Sequence, residues 1–146
     1  MKAFITASLL LFGSNLWAAS ISVEDPYVRH MPPTQSITGA FMVLKNTSGS
    51  DRAVISAESD VADKVELHTH LHENGVMKMR QVDKIDIPAS GETVLKPGGF
   101  HVMLIGLKQP LDLGQMVEIK FNFDDGTSAQ IQAEVRSVMK GMKMGN

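Results

Sequence analysis

The chain has 146 residues, enough for one domain with a sizeable core, and carries 14 Lys and Arg against 16 Asp and Glu. A net charge of −2 argues against nucleic acid or an anionic membrane surface as partner. There is no cysteine, which excludes disulfides, thiol redox chemistry, Cys-ligated zinc and the thiolate-bound blue-copper centre.

The N-terminal stretch, residues 1–19, reads as a signal peptide. Met1-Lys2 is a short basic start, Ala3 to Phe12 is apolar, and Asn15-Leu16-Trp17-Ala18-Ala19 is a cleavage region containing small residues, with cleavage expected after Ala18 or Ala19. The apolar run is short for a bilayer span and is interrupted by Gly13, Ser14 and Asn15. An exported protein without membrane insertion is therefore expected. Losing Lys2 with the leader leaves 13 basic residues against 16 acidic ones, a charge near −3.

The remaining chain reads as one domain over residues 20–138, built of short strands. Strands are predicted at 21–28, 38–46, 52–59, 64–71, 76–81, 93–96, 100–107, 116–123 and 127–138. Turn signals separate them: Thr47-Ser48-Gly49-Ser50, Glu73-Asn74-Gly75, Pro97-Gly98-Gly99 and Asp124-Asp125-Gly126. Residues 117–123 alternate apolar and polar, as a half-buried strand should. Residues 59–63 are expected to make a single helical turn with Asp60 near its start. Met42 and Met116, inside apolar stretches, are expected to be core filler. Short strands at even spacing predict an all-β, antiparallel sandwich or barrel. Residues 139–146, with Met139, Met142 and Met144, are predicted to be a mobile Met-rich tail.

Three pieces concentrate metal-binding side chains: His68-Thr69-His70-Leu71-His72, Met77-Lys78-Met79 and His101-Val102-Met103. On a strand, residues two apart share a face. His101 and Met103 therefore project together, as do Met77 and Met79. Asn74-Gly75 marks a hairpin joining the first two pieces. A four-residue loop, 72–75, sets His68 opposite Met79, and a two-residue Asn-Gly loop sets His70 there. Either register leaves the even-numbered histidines on the face of Met77 and Met79. The four-residue loop, with Gly75 at positive φ, is the expected one. The third piece has to join by tertiary folding. Neutral thioether and imidazole donors suit Cu(I), whereas zinc favours thiolate or carboxylate and calcium or magnesium favours oxygen.

His68 is followed by ten residues and Met79, then by twenty-one residues and His101-Val102-Met103. This spacing resembles the signature of the periplasmic copper chaperone family PCuAC, which supplies copper to the CuA centre of cytochrome c oxidase. Residues 38–46, Val65-Glu66-Leu67-His68, Gly75-Val76-Met77-Lys78-Met79-Arg80 and residues 95–104 are similar to that family's blocks, and the resemblance covers about Tyr27 to Val138. It implies a cupredoxin-like β-sandwich or Greek-key barrel. It also implies one Cu(I) held by His68, Met79, His101 and Met103, with these side chains converging near one end of the sandwich. The implied partner is the CuA-bearing oxidase subunit or another copper assembly factor. Many members carry Met directly after the first His, where this chain has Thr69. Adjacent strand residues face opposite sides, so this change is not expected to remove a ligand.

His70, His72 and Met77 form a candidate rim, and the tail methionines a candidate second Cu(I) site. No metal role is expected for His30-Met31, ahead of Pro32-Pro33. With two histidine ligands near the reference pKa of about 6.5, Cu(I) binding is expected to weaken below roughly pH 6. No catalytic set is evident, and a monomeric, periplasmic, non-enzymatic carrier is expected. The alternative is a periplasmic copper-buffering or resistance protein.

Overall fold

The computed structural model describes residues 20–137. The predicted leader, residues 1–19, and the tail methionines Met139, Met142 and Met144 lie outside the described residues.

The described residues form ten strands: β1 (Ile21–Arg29), β2 (Ile37–Asn46), β3 (Arg52–Glu58), β4 (Ala62–Glu73), β5 (Val76–Gln81), β6 (Ile85–Ile87), β7 (Glu92–Leu95), β8 (His101–Leu107), β9 (Met116–Phe123) and β10 (Ser128–Arg136). They pair in the order β5-β4-β8-β2-β1-β10-β9-β3-β6, with β7 also pairing β2. All of these pairings are antiparallel except β1 with β10. The protein is all-β, as expected from the spacing of turn signals, with the cupredoxin-like form that the family resemblance implies.

Alternation along the strands builds the core. β9 turns Val117, Ile119, Phe121 and Phe123 inward, β8 turns Val102 and Leu104, and β2 turns Ala40, Met42 and Leu44. Full burial of such side chains contributes about 1.5–3 kcal/mol each. Every described strand places a residue in this core except β5, all six of whose residues are exposed. β5 is an edge strand held by its ladder to β4.

Three expectations are corrected. Ser59, Asp60 and Val61 make a tight turn rather than a helical one, because β3 and β4 extend almost to meet each other. Met116 is 53% exposed rather than core, since alternation on β9 gives the inward positions to the odd-numbered residues. The third concerns the β4–β5 hairpin. Glu73 pairs with Val76 and His70 with Met79, so the loop is the two residues Asn74-Gly75, not 72–75. Both have positive φ, 52° and 77°. That is the mirror-image turn whose twist matches the flanking strands. Gly75→Val would force a β-branched residue into the left-handed region, and a stability loss of about 1–2 kcal/mol is expected. Thermal unfolding of the two proteins checks it, and an unchanged midpoint would contradict this turn geometry.

A bulge in β1 also positions the site. Ile21 and Val23 pack toward the core, but beyond the bulge Val28 does so instead. The register shifts by one between Glu24 and Tyr27, with Asp25 at φ 47°. The extra residue re-aims Tyr27 and Arg29 to the opposite face.

Candidate metal centre

The donor side chains share the sheet face turned away from the core. On β8, His101 and Met103 alternate with the core residues Val102 and Leu104. The β4–β8 ladder sets His68 opposite His101 and Glu66 opposite Met103. The β4–β5 ladder sets His70 opposite Met79 and His72 opposite Met77. Strand pairs directly opposite bring side chains to about 4.5–5.5 Å at Cβ, so each rung is a contact.

Met79, His101 and Met103 line one hollow of about 380 Å³, together with His70 and Met77. The hollow is bounded by Pro97 and Gly98 of the β7–β8 turn, by Met31 of the β1–β2 loop, and by Arg29, Thr38 and Phe41. Three of the four implied ligands are thus brought together in its wall. His68 stands beside them, its ring 5.8 Å from that of His101, but it is not part of the hollow's lining. His70 is, with its ring 5.2 Å from His101. His72 is exposed. Among the described residues no group of three His, Asp or Glu side chains is disposed to hold a metal ion. The donors that converge are imidazole and thioether.

The histidine rings are oriented differently. His101 is 3% exposed, and its Nδ1–H donates to the Gly99 carbonyl at 3.0 Å. That bond leaves Nε2 with the free lone pair. Burial pushes the His101 pKa below its ordinary value; the Gly99 hydrogen bond opposes this, and positive charge at His70, His68 and Arg29 adds to it. The neutral, ligating form is therefore favoured. His68 Nε2 lies 2.8 Å from Glu66 Oε2. With Nε2–H donating to the carboxylate, Nδ1, which is buried and has no hydrogen-bond partner, carries the lone pair. A carboxylate behind an imidazole raises its basicity toward a metal and holds its orientation.

Sulfur exposure is graded. Met103 is 8% exposed at the floor, whereas Met77 and Met79 are each 48% exposed on the edge strand. Behind them Phe41 is buried outside the main core, 5.3 Å from the Tyr27 ring and 6.0 Å from His101. The Arg29 guanidinium lies 5.2 Å over the Phe41 ring, and the Arg29 carbonyl accepts from Thr38 Oγ1 at 2.6 Å. Gly39 sits opposite Met103, and a Cβ there would come within 3.0 Å of Phe41.

Sequence reasoning missed Arg29, Phe41 and Met31 as neighbours of this hollow. A signal existed for Arg29: Asp25-Pro26 inside a strand pattern marks a bulge or an edge. Met31, for which the sequence suggests no metal role, lines the hollow. His30 is not among the lining residues.

Residues 21–135 match the family described as "LpqE-like: Putative lipoprotein LpqE-like". A relative named "Putative lipoprotein Lxx21020", from Leifsonia xyli subsp. xyli, is 36% identical over 101 residues, covering 68% of this chain and 61% of that protein. The match thus spans less than two thirds of that relative's length. The solution structure of CuI-DR1885 from Deinococcus radiodurans is 32% identical over 88% of this chain and 87% of that one, with a TM-score of 0.69. The copper-bound PCuAC domain from PmoF2 is 21% identical over 81% of this chain and 93% of that one, with a TM-score of 0.68, a likeness of fold.

Proposed function

The chain belongs to the LpqE-like family, a PCuAC-type family, and from that premise we propose that it is an exported, periplasmic Cu(I) carrier. Its role is to hold one Cu(I) through His68, Met79, His101 and Met103 and pass it to the CuA centre of cytochrome c oxidase. It is not an enzyme. The observation that carries this reading is the convergence of Met79, Met103 and a buried His101, held with a free lone pair, on one hollow. A relative at 32% identity named as a Cu(I) form supports the choice of metal, and the lipoprotein relative supports export.

The chemistry favours Cu(I) independently. Two neutral imidazoles and two thioethers form a soft, uncharged set. Arg29 lines the same hollow, and its fixed positive charge opposes a divalent ion about twice as strongly as a monovalent one at equal distance. The carboxylate of Glu66 stands one residue pair away, opposite Met103, and offsets part of that field. Uncharged ligands beside an exposed edge strand also suit release, which a carrier needs as much as binding.

Mixing the Cu(I)-loaded protein with an apo CuA domain tests the proposal. Copper should leave the hollow and appear in the purple binuclear centre once two equivalents and an electron acceptor are supplied. Retention against excess apo CuA domain would instead make the protein a copper buffer. Replacing Met139, Met142 and Met144 together by Ala is expected to leave the first Cu(I) equivalent nearly unchanged in a chelator competition. Loss of that equivalent would place the tight site in the tail.

A further inference from the structure

β4 carries two imidazoles on the face of the hollow, and they differ in freedom. His68 is tied at Nε2 to Glu66. His70 makes no side-chain hydrogen bond among the described residues, lines the hollow itself, faces Met79 across the ladder and lies 5.2 Å ring to ring from His101. Its Nδ1 is buried and has no hydrogen-bond partner. Such a nitrogen costs free energy unless a partner satisfies it. Next to it on the same face Met77 reaches toward the β7–β8 turn, its methyl 3.7 Å from where a Cβ on Gly98 would sit.

We infer that His70 is an exchange ligand: it takes the place of His68 in the copper coordination as the ion enters or leaves, with Met77 as the accompanying sulfur. The inference rests on the reading of the hollow as a Cu(I) site. The step is a ligand substitution. The neutral His70 ring nitrogen donates its lone pair to form a Cu–N bond as the bond to His68 breaks. Copper stays Cu(I), no proton is transferred, and His68 keeps its hydrogen bond to Glu66. The ion moves from the His101–His68 rung toward the His70–Met79 rung and the edge strand. There both Met77 and Met79 are half exposed and open to a recipient's ligands. Because a new donor replaces each one lost, coordination number is preserved during departure, which lowers the barrier to release.

Three variants test this: His68→Ala, His70→Ala and the double variant. Each is checked for folding by circular dichroism and then loaded with Cu(I). The readouts are chelator-triggered release by stopped flow and the imidazole ¹⁵N shifts of His70. His70→Ala is expected to slow release on the order of tenfold, the factor for a barrier raised by about 1.4 kcal/mol. His68→Ala is expected to keep one equivalent, with the His70 ring nitrogen shifted by the metal, and the double variant to lose it. Release from His70→Ala at the original rate, together with His70 ¹⁵N shifts unmoved by copper in His68→Ala, would overturn the inference. Met103→Leu separates the two layers of the argument. If it keeps tight Cu(I), the hollow is not the copper site and the underlying reading fails; if it loses Cu(I), the His70 results bear on exchange alone.

Discussion

Met103→Leu is expected to lose Cu(I) affinity by at least the 10–100-fold that substitutions one shell further out already cost, while Cu(II) binding changes far less. Met103 is 8% exposed. Truncation to Ala would leave a cavity costing about 2–5 kcal/mol and confuse binding with folding. Leucine conserves the volume, so its cost is held below about 1.5 kcal/mol and the change is essentially the loss of sulfur. Met79→Leu should behave alike with a smaller stability effect, because Met79 is 48% exposed on an edge strand. His101→Ala should weaken both oxidation states, since imidazole serves Cu(I) and Cu(II). Competitive titration against chelators specific for each state checks the pattern. Equal losses of Cu(I) and Cu(II) in Met103→Leu would remove thioether selectivity as the basis of the site.

The second large effect is on pH dependence. An ordinary histidine ligand, with a reference pKa of about 6.5, loses metal affinity by about tenfold for each pH unit below that value. His101 is different: burial, assisted by the positive charge at His70, His68 and Arg29, holds its pKa below the ordinary value despite the Gly99 hydrogen bond. Proton competition at this ligand therefore begins at lower pH than at an ordinary histidine. The sign for stability is the same. Above about pH 6.5 His101 is neutral in both folded and unfolded chains, and its contribution is fully present. As pH falls through that value the unfolded chain takes the proton first, and stability drains away until the folded-state pKa is passed. Titrating the His101 ring by NMR in the metal-free protein should give a midpoint below 6.5, and His101→Gln should flatten the acid limb of the stability curve. A midpoint at or above 6.5 would show that burial does not control this ring.

Local pattern was enough for much of the architecture. Strands β5 and β9 match the predicted 76–81 and 116–123 at both ends: each abuts a strong turn signal at one end, and β9 alternates cleanly. β6 was not predicted: Ile85-Asp86-Ile87 is too short to display a period, and it becomes a strand only by pairing with Arg52, Ala53 and Val54 of β3. The shared face of the β4 histidines and the β5 methionines was readable without any fold. Side chains alternate with period two, so the two candidate loops, which differ by two residues, give the same parity. Register was not readable, because it turned on whether Asn74 as well as Gly75 adopts positive φ.

What tertiary structure alone decided is which donors meet. His101 comes opposite His68 because β8 inserts between β4 and β2, a pairing across more than thirty positions of sequence that no local period encodes. Met31, Arg29 and Phe41 reach the hollow through a loop, a bulge and a neighbouring strand respectively. The amino-acid sequence by itself determined the donor types, their faces and the softness of the metal they suit, since those follow from side-chain chemistry and the two-residue repeat. Ring orientation and the burial of His101 depend on long-range packing, where many weak contacts summed over the whole core select one arrangement from several that are locally equivalent.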